Sequence, residues 1–219
     1  MTCTLLDPRV AATLDRMFTE ADRQLPLLGE MMSRDAVPAE ADAQARADAL
    51  SEFYLPVTPE AGRLLYSLVR SSRPDTVVEF GMSLGISAIH LASAVRDNGV
   101  GRVITTELNA DKVAAATRNF ADAGLDDVIT VLHGDALQTL AEVDGPIGFV
   151  LLDGWKDLYR KVLELLEPRL APGALVVADN TSMPGLQDYL DYVRDPSNGY
   201  VSVSFPARES DTMEISCRT

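Results

Sequence analysis

The apolar positions divide the chain into a helical first third and a longer alternation of strands and helices. Val10, Leu14, Met17 and Phe18 recur at i, i+4, i+7 and i+8, the spacing of one helix face. Residues 39–50 are rich in alanine, aspartate and glutamate and read as a polar helix or a mobile segment. Thr58 and Pro59 open another helix, a hydroxyl cap followed by proline at the first helical position, with Ala61, Leu64, Leu65 and Leu68 as its apolar stripe. From Asp75 onward short apolar, β-branched runs predict strands at 76–80, 103–106, 129–132, 149–152 and 174–178. A helix between the second and third opens at Asn109, turns Val113, Ala116 and Phe120 inward and stops at Gly124. Leu186, Tyr189, Leu190 and Val193 mark a last helix, and residues 200–205 and 212–217 read as two closing strands joined by a hairpin-like turn.

The strand runs are continuously apolar rather than alternating, as in a parallel sheet covered on both faces. The fold class predicted is α/β: a Rossmann-like, doubly wound, mostly parallel seven-stranded sheet with an antiparallel last strand and N-terminal helices. Residues 1–53 form a helical cap that shapes a substrate pocket in this reading, and residues 54–219 the main domain of one compact unit. The length, 219 residues with 47% hydrophobic content, suits a single domain with a full core. No run approaches the roughly 18 apolar residues of a bilayer span, and the first residues carry Asp7 and Arg9 without an apolar block, so neither membrane nor secretory signal is expected. Acids outnumber bases 33 to 19, a formal net charge of −14, which argues against nucleic acid as a partner. Cys3 and Cys217 stand at opposite ends and make neither a disulfide framework nor a zinc signature, so a reducing, cytoplasmic setting is expected.

In doubly wound sheets the chemistry lies just after each strand. The first strand ends in Glu79-Phe80-Gly81-Met82-Ser83-Leu84-Gly85-Ile86-Ser87. Gly81 and Gly85 let backbone approach a ligand closely, but the third glycine of a dinucleotide fingerprint is missing, and Glu79 suits a cationic ligand better than a pyrophosphate. Glu107, at the second strand end, can accept both hydroxyls of a ribose. His133-Gly134-Asp135-Ala136 ends the third strand, where Asp135 can accept from an exocyclic amine. A glycine turn, an acid for a ribose and an acid for an amine describe a nucleoside cofactor without phosphates, and S-adenosylmethionine is such a molecule. The fourth strand leads into Asp153-Gly154-Trp155-Lys156-Asp157-Leu158-Tyr159, and the fifth into Asp179-Asn180. Asp153, Asp179 and Asn180 are hard oxygen donors that suit Mg²⁺ or another divalent cation better than Zn²⁺. Lys156, three residues after Asp153, reaches the same place and is a candidate general base. His90, within an apolar helix, reads as a packed residue.

These strings resemble the cation-dependent O-methyltransferases that use S-adenosylmethionine, the group that includes catechol and caffeoyl-CoA O-methyltransferases. The resemblance runs from about Tyr54 to the C-terminus, roughly three quarters of the chain. It rests on residues 79–87, on Glu107 with Asn109, on Asp153-x-Trp155-Lys156-Asp157-x-Tyr159, and on Ala178-Asp179-Asn180 with Pro184-Gly185 downstream. It implies that Asp153, Asp179 and Asn180 hold Mg²⁺, that Lys156 deprotonates a hydroxyl of a small-molecule acceptor, and that Glu107 binds the ribose. It implies further that Ser87 binds the methionine carboxylate, that Trp155 lies against the adenine, that Val57 contacts the cofactor through backbone, and that Pro184 walls the acceptor pocket. Val57, Glu79, Gly81, Gly85, Ser87, Glu107, Asp135, Ala136, Asp153 and Trp155 thus form the expected cofactor set. The acceptor expected is catechol-like, phenolic, a polyketide or a sugar diol. A homodimer is the expected assembly. The family's glutamate for the second hydroxyl has no clear counterpart; the segment is shorter here, and Glu209 stands nearest. Two rival readings share the fold. The missing glycine and Glu79 argue against a nucleotide-dependent oxidoreductase, and the joint presence of Asp153, Lys156, Asp179 and Asn180 argues against a non-catalytic cofactor-binding homologue.

Overall fold

The computed structural model describes residues 3–33, 42–208 and 211–219. Its helices are α1 (Pro8–Ser33), α2 (Ala43–Ala49), α3 (Pro59–Ser72), α4 (Ile86–Asn98), α5 (Ala110–Ala123), α6 (Ala136–Thr139), α7 (Tyr159–Leu166) and α8 (Gln187–Arg194). Its strands are β1 (Thr76–Phe80), β2 (Arg102–Glu107), β3 (Ile129–His133), β4 (Ile147–Leu152), β5 (Leu170–Ala178), β6 (Tyr200–Arg208) and β7 (Asp211–Arg218). They form one seven-stranded sheet in the order β3-β2-β1-β4-β5-β7-β6. The pairs among β1 to β5 are parallel, and β7 runs antiparallel to both β5 and β6. This is the predicted doubly wound sheet with its antiparallel last strand.

Side chains alternate across the pleat, so neighbouring residues of one strand feed different cores. Val77, Phe149, Leu151 and Val177 pack beneath α1, α3, α4 and α5. Val78, Phe80, Val150 and Val176 pack beneath α6, α7 and α8 on the other face. All five residues of β1 are buried, Val77, Val78 and Phe80 as apolar strand residues covered on both faces and Thr76 and Glu79 as buried polar ones.

Local signals set the helix ends. Thr58 Oγ1 accepts from the Ala61 backbone N–H at 3.1 Å, with Pro59 first in α3. Asn109 Oδ1 accepts from the Lys112 N–H at 2.9 Å, and α5 ends at Gly124 in the left-handed conformation. Val10, Leu14 and Met17 of α1 are buried, as their spacing predicts. Of the alanine-rich stretch, residues 42–50 carry the short helix α2, and residues 39–41 lie outside the described residues. Glu209, between β6 and β7, and with it the expected hairpin-like turn, also lies outside the described residues. No described helix is long and apolar enough to cross a membrane.

Strand order reverses between β1 and β4, since β1 leads to β2 and β3 on one side while β4 and β5 lie on the other. The carboxyl ends of the strands flank a crevice there, and α1 and α2 supply residues above it.

Candidate functional site

A cavity of about 700 Å³ opens at these strand ends, within the range of small-molecule sites. Its floor carries Gly81, Glu107, Asp135 and Ala136 from the first three strand ends, and Asp153, Trp155, Lys156, Asp179 and Asn180 from the fourth and fifth. Leu25 and Leu28 of α1, Ala47 of α2, Leu50, Leu55 and Met183 add a largely apolar lining, with Asp42 and Gln44 as polar members at α2. These nine expected residues therefore gather from five separate strand ends around one cavity.

Gly81 is demanded by the geometry. Its φ is +100°, and a Cβ there would lie 2.5 Å from the Gly154 nitrogen and 2.6 Å from the Asp153 carbonyl. The ends of β1 and β4 thus approach more closely than any side chain permits, and the Asp153 N–H donates to the Phe80 carbonyl at 2.8 Å beside them. Gly85, at φ +95°, makes room for the Phe120 ring, 2.5 Å from where its Cβ would stand. Gly85 and Ser87 line a narrow crevice that adjoins the main cavity.

The Glu107 carboxylate is fixed by backbone. One oxygen accepts from Ser83 N–H at 2.9 Å, the other from Leu108 and Asn109 N–H at 2.8 and 2.9 Å. Such anchoring holds an anionic acceptor at the cavity wall in one orientation. Asp135 is exposed, and its Oδ1 caps α6 by accepting from the Leu137 N–H at 2.9 Å. Glu79 is fully buried and does not line the cavity. One of its oxygens accepts from Thr105 Oγ1, and Oε1 has no hydrogen-bond partner among the described residues. Burial pushes its pKa up to about 7, opposed by the nearby Ser87 and Thr105 hydroxyls and assisted by the Glu107 charge.

At the other half of the wall, Lys156 Nζ donates to the Tyr159 hydroxyl at 2.6 Å and lies 3.5 Å from Asp153 Oδ1. Tyr159, fully buried, donates in turn to the Asp179 carbonyl at 3.0 Å. One tyrosine oxygen therefore ties the lysine to the end of β5. The Asp153 carboxyl is held well above the usual carboxylate range, first by burial, with Asp179 and Glu79 adding to the rise and Lys156 opposing it. Asn180 adopts the left-handed conformation, φ +57°, and its amide nitrogen donates to Asp211 Oδ2 at 2.7 Å. That bond turns the amide's nitrogen toward Asp211 and leaves its oxygen as the group suited to a cation. Two mutually repelling carboxylates and an oriented amide fit a hard divalent cation, which would offset their repulsion. Among the described residues no group of three His, Cys, Asp or Glu side chains is arranged for a metal, so the set rests on two acids and the amide.

Val57 and Pro184, like Glu79, stand off this wall, and His90 is packed as expected. Val57 is buried in the core, while its neighbours Leu55 and Pro56 line the cavity. Pro184 is exposed, and Met183 lines the cavity beside it. His90 is buried, with Nδ1 2.9 Å from the Ile86 carbonyl. Residues that the sequence did not single out also converge. Lys112 lines the same cavity as Glu107. The Arg46 guanidinium of α2 lies 4.5 Å from the centre of the Trp155 ring. Asp48 of α2 accepts from Asn109 Nδ2 at 2.9 Å, so α2 is fastened beside both cofactor-side loops.

A methyltransferase-domain family matches residues 78–181. Catechol O-methyltransferase B of Danio rerio is 33% identical over 161 residues, which take in 70% of this chain and 60% of that protein, under two thirds of its length. Catechol O-methyltransferase of Sus scrofa is 35% identical over 141 residues, 61% of this chain and 74% of that protein. An O-methyltransferase from Bacillus cereus, crystallised in complex with S-adenosylhomocysteine, shares the fold with a TM-score of 0.67 at 21% identity, over 87% of this chain and 97% of that one.

Proposed function

This chain belongs to the class I S-adenosylmethionine-dependent O-methyltransferase family, and from that premise we propose that it transfers a methyl group to a hydroxyl of a small molecule with the help of a divalent cation. The observation that carries the reading is the shared wall: Gly81, Glu107, Asp135 and Trp155 border the same cavity as Asp153, Lys156, Asp179 and Asn180. The Bacillus cereus neighbour with bound S-adenosylhomocysteine supports the donor.

In this proposal Glu107 takes the ribose hydroxyls, Asp135 and Ala136 border the adenine, and Trp155 lies against it with Arg46 behind its ring. Gly81, Gly85 and Ser87 complete the donor's surroundings, while Glu79 and Val57 are buried off the cavity. S-adenosylmethionine supplies an electrophilic methyl on a sulfonium centre. Asp153, Asp179 and Asn180 would hold Mg²⁺ or a similar cation, which lowers the pKa of a bound hydroxyl and fixes its position. Lys156, steadied by Tyr159, takes the acceptor's proton as the oxygen bonds to the methyl carbon, and the carbon–sulfur bond would break with its electron pair on sulfur, releasing S-adenosylhomocysteine. The apolar lining of Leu25, Leu28, Leu50 and Met183 favours a flat, apolar body on the acceptor, which leaves a catechol-like phenol ahead of a sugar diol. Alignment matters as much as acid–base chemistry, because a misplacement of about 1 Å costs on the order of a hundredfold in rate. The proposal treats residues 1–53 as a cap over the catalytic domain at 54–219, and carries a cytoplasmic homodimer as its expected assembly; a monomer mass in light scattering across a wide concentration range would remove the dimer.

Calorimetry with S-adenosylhomocysteine, NAD and NADP tests the donor. Binding of S-adenosylhomocysteine at micromolar Kd or tighter, about −8 kcal/mol, is expected. Binding of NAD without binding of S-adenosylhomocysteine would sink the proposal.

A further inference from the structure

Lys112 occupies a place where the fold alone gives a lysine no reason to be. It is 4% exposed, in the first turn of α5, where the helix's positive end disfavours a cation. An ammonium carries three donors, and among the described residues Nζ makes one hydrogen bond, to Ser83 Oγ at 3.0 Å. Burial brings its pKa down to about 8, with the Glu107 charge opposing the fall. A methionine would fill the same space without these costs. Yet Lys112 lines the same cavity as Glu107, near enough to feel its charge, and the two Glu107 oxygens are pinned by three backbone N–H groups.

We propose that Lys112 is a cofactor-contacting residue that works with Glu107 as a donor–acceptor pair reading the ribose diol. The inference rests on the nucleoside donor proposed above. A ribose hydroxyl both donates and accepts. Glu107, ionised, only accepts, and Lys112, charged, only donates. Placed around one cavity, they satisfy both capacities of a sugar oxygen buried between them. Ser83 Oγ holds the lysine in place from the glycine turn, so the loop after β1 and the end of β2 grip the sugar together. The pair discriminates: a sugar lacking the bridging hydroxyl leaves both charged groups without their ligand partner.

The experiment uses calorimetry of S-adenosylhomocysteine and its 2′-deoxy and 3′-deoxy ribose analogues on the wild type, Lys112→Met and Lys112→Arg, with urea unfolding of each. Lys112→Met is expected to weaken S-adenosylhomocysteine about 10- to 100-fold, the range for a hydrogen bond from a charged donor. For one of the two deoxy analogues the same substitution should change affinity less than about threefold, because the bridging oxygen is already gone. Lys112→Arg should recover part of the loss, and Lys112→Met should unfold at no lower urea concentration than the wild type. Undiminished S-adenosylhomocysteine affinity in Lys112→Met, an equal loss for all three ligands, or a clear loss of stability would overturn the assignment. Wild-type protein that binds none of the three would instead take down the donor reading itself.

Discussion

Replacing Gly81 with alanine tests the idea that the site is built by a close approach of two strand ends. The added methyl would sit 2.5 Å from the Gly154 nitrogen and 2.6 Å from the Asp153 carbonyl, all backbone atoms that cannot rotate away. Relief requires the ends of β1 and β4 to part, which strains the 2.8 Å bond from the Asp153 N–H to the Phe80 carbonyl. Overpacking of this kind costs about 1–3 kcal/mol. Holding alanine at the observed φ of +100° adds about 1–2 kcal/mol. The sum, about 2–5 kcal/mol, is a large part of the stability of an ordinary domain. Gly99 is the control: its φ is +68° and nothing lies within 4 Å of its would-be Cβ, so alanine there pays only the conformational cost. For a chain of this size each kcal/mol is about 2–4 °C in Tm. Calorimetry should therefore show Gly81→Ala melting on the order of 10 °C below the wild type and Gly99→Ala only a few degrees below. Because Asp153 and Gly154 move with the strand end, Gly81→Ala should also weaken S-adenosylhomocysteine, whereas Gly99→Ala should not. Equal melting temperatures for the two variants would refute the reasoning.

The buried Glu79 gives stability a pH dependence. Its folded pKa, about 7, lies above its ordinary 4.5, so its contribution is full below pH 4.5 and lost as pH rises through 7. That shift is worth about 3 kcal/mol, and Glu79→Gln should flatten the fall, gaining on the wild type between pH 4.5 and 8 in urea titrations; parallel curves would contradict it. Lys156→Ala should lower kcat by roughly 10²–10⁴-fold with a smaller change in acceptor KM, and the deficit should shrink at high pH, where hydroxide replaces the base. A loss confined to KM would assign Lys156 to binding instead.

Much of the fold was legible because its signals are local. The glycine after β1, the Asn109 cap and the Gly124 stop of α5 each act within a few residues, and those boundaries fall where the sequence puts them. Longer-range elements were less visible. β5 begins at Leu170, four residues before the predicted strand, because Pro172 and Gly173 mask an extension that pairs Leu170 with Ile147 across the sheet. The amphipathic α7 went unmarked because its first residue closes the Asp153-to-Tyr159 string read for chemistry. The same logic applies at the site. Residues at strand ends could be listed in order, since topology alone sends them to one edge. Lys112 could not: it sits beside Val113 in a helix whose period assigns it a polar face, and its partner Ser83 is 29 positions away. The fastening of α2 depends on Asp48 and Asn109, 61 positions apart, and no spacing rule spans that distance.

The central claim is methyl transfer assisted by a cation held at Asp153, Asp179 and Asn180. The measurement that tests it most directly is transfer of labelled methyl from S-adenosylmethionine to a panel of phenols and vicinal diols, with excess chelator and with Mg²⁺ or Mn²⁺ restored. Transfer should stop in chelator, return with the cation and stay absent in Asp179→Ala, whose S-adenosylhomocysteine affinity should be nearly unchanged. Full activity in excess chelator would contradict the account.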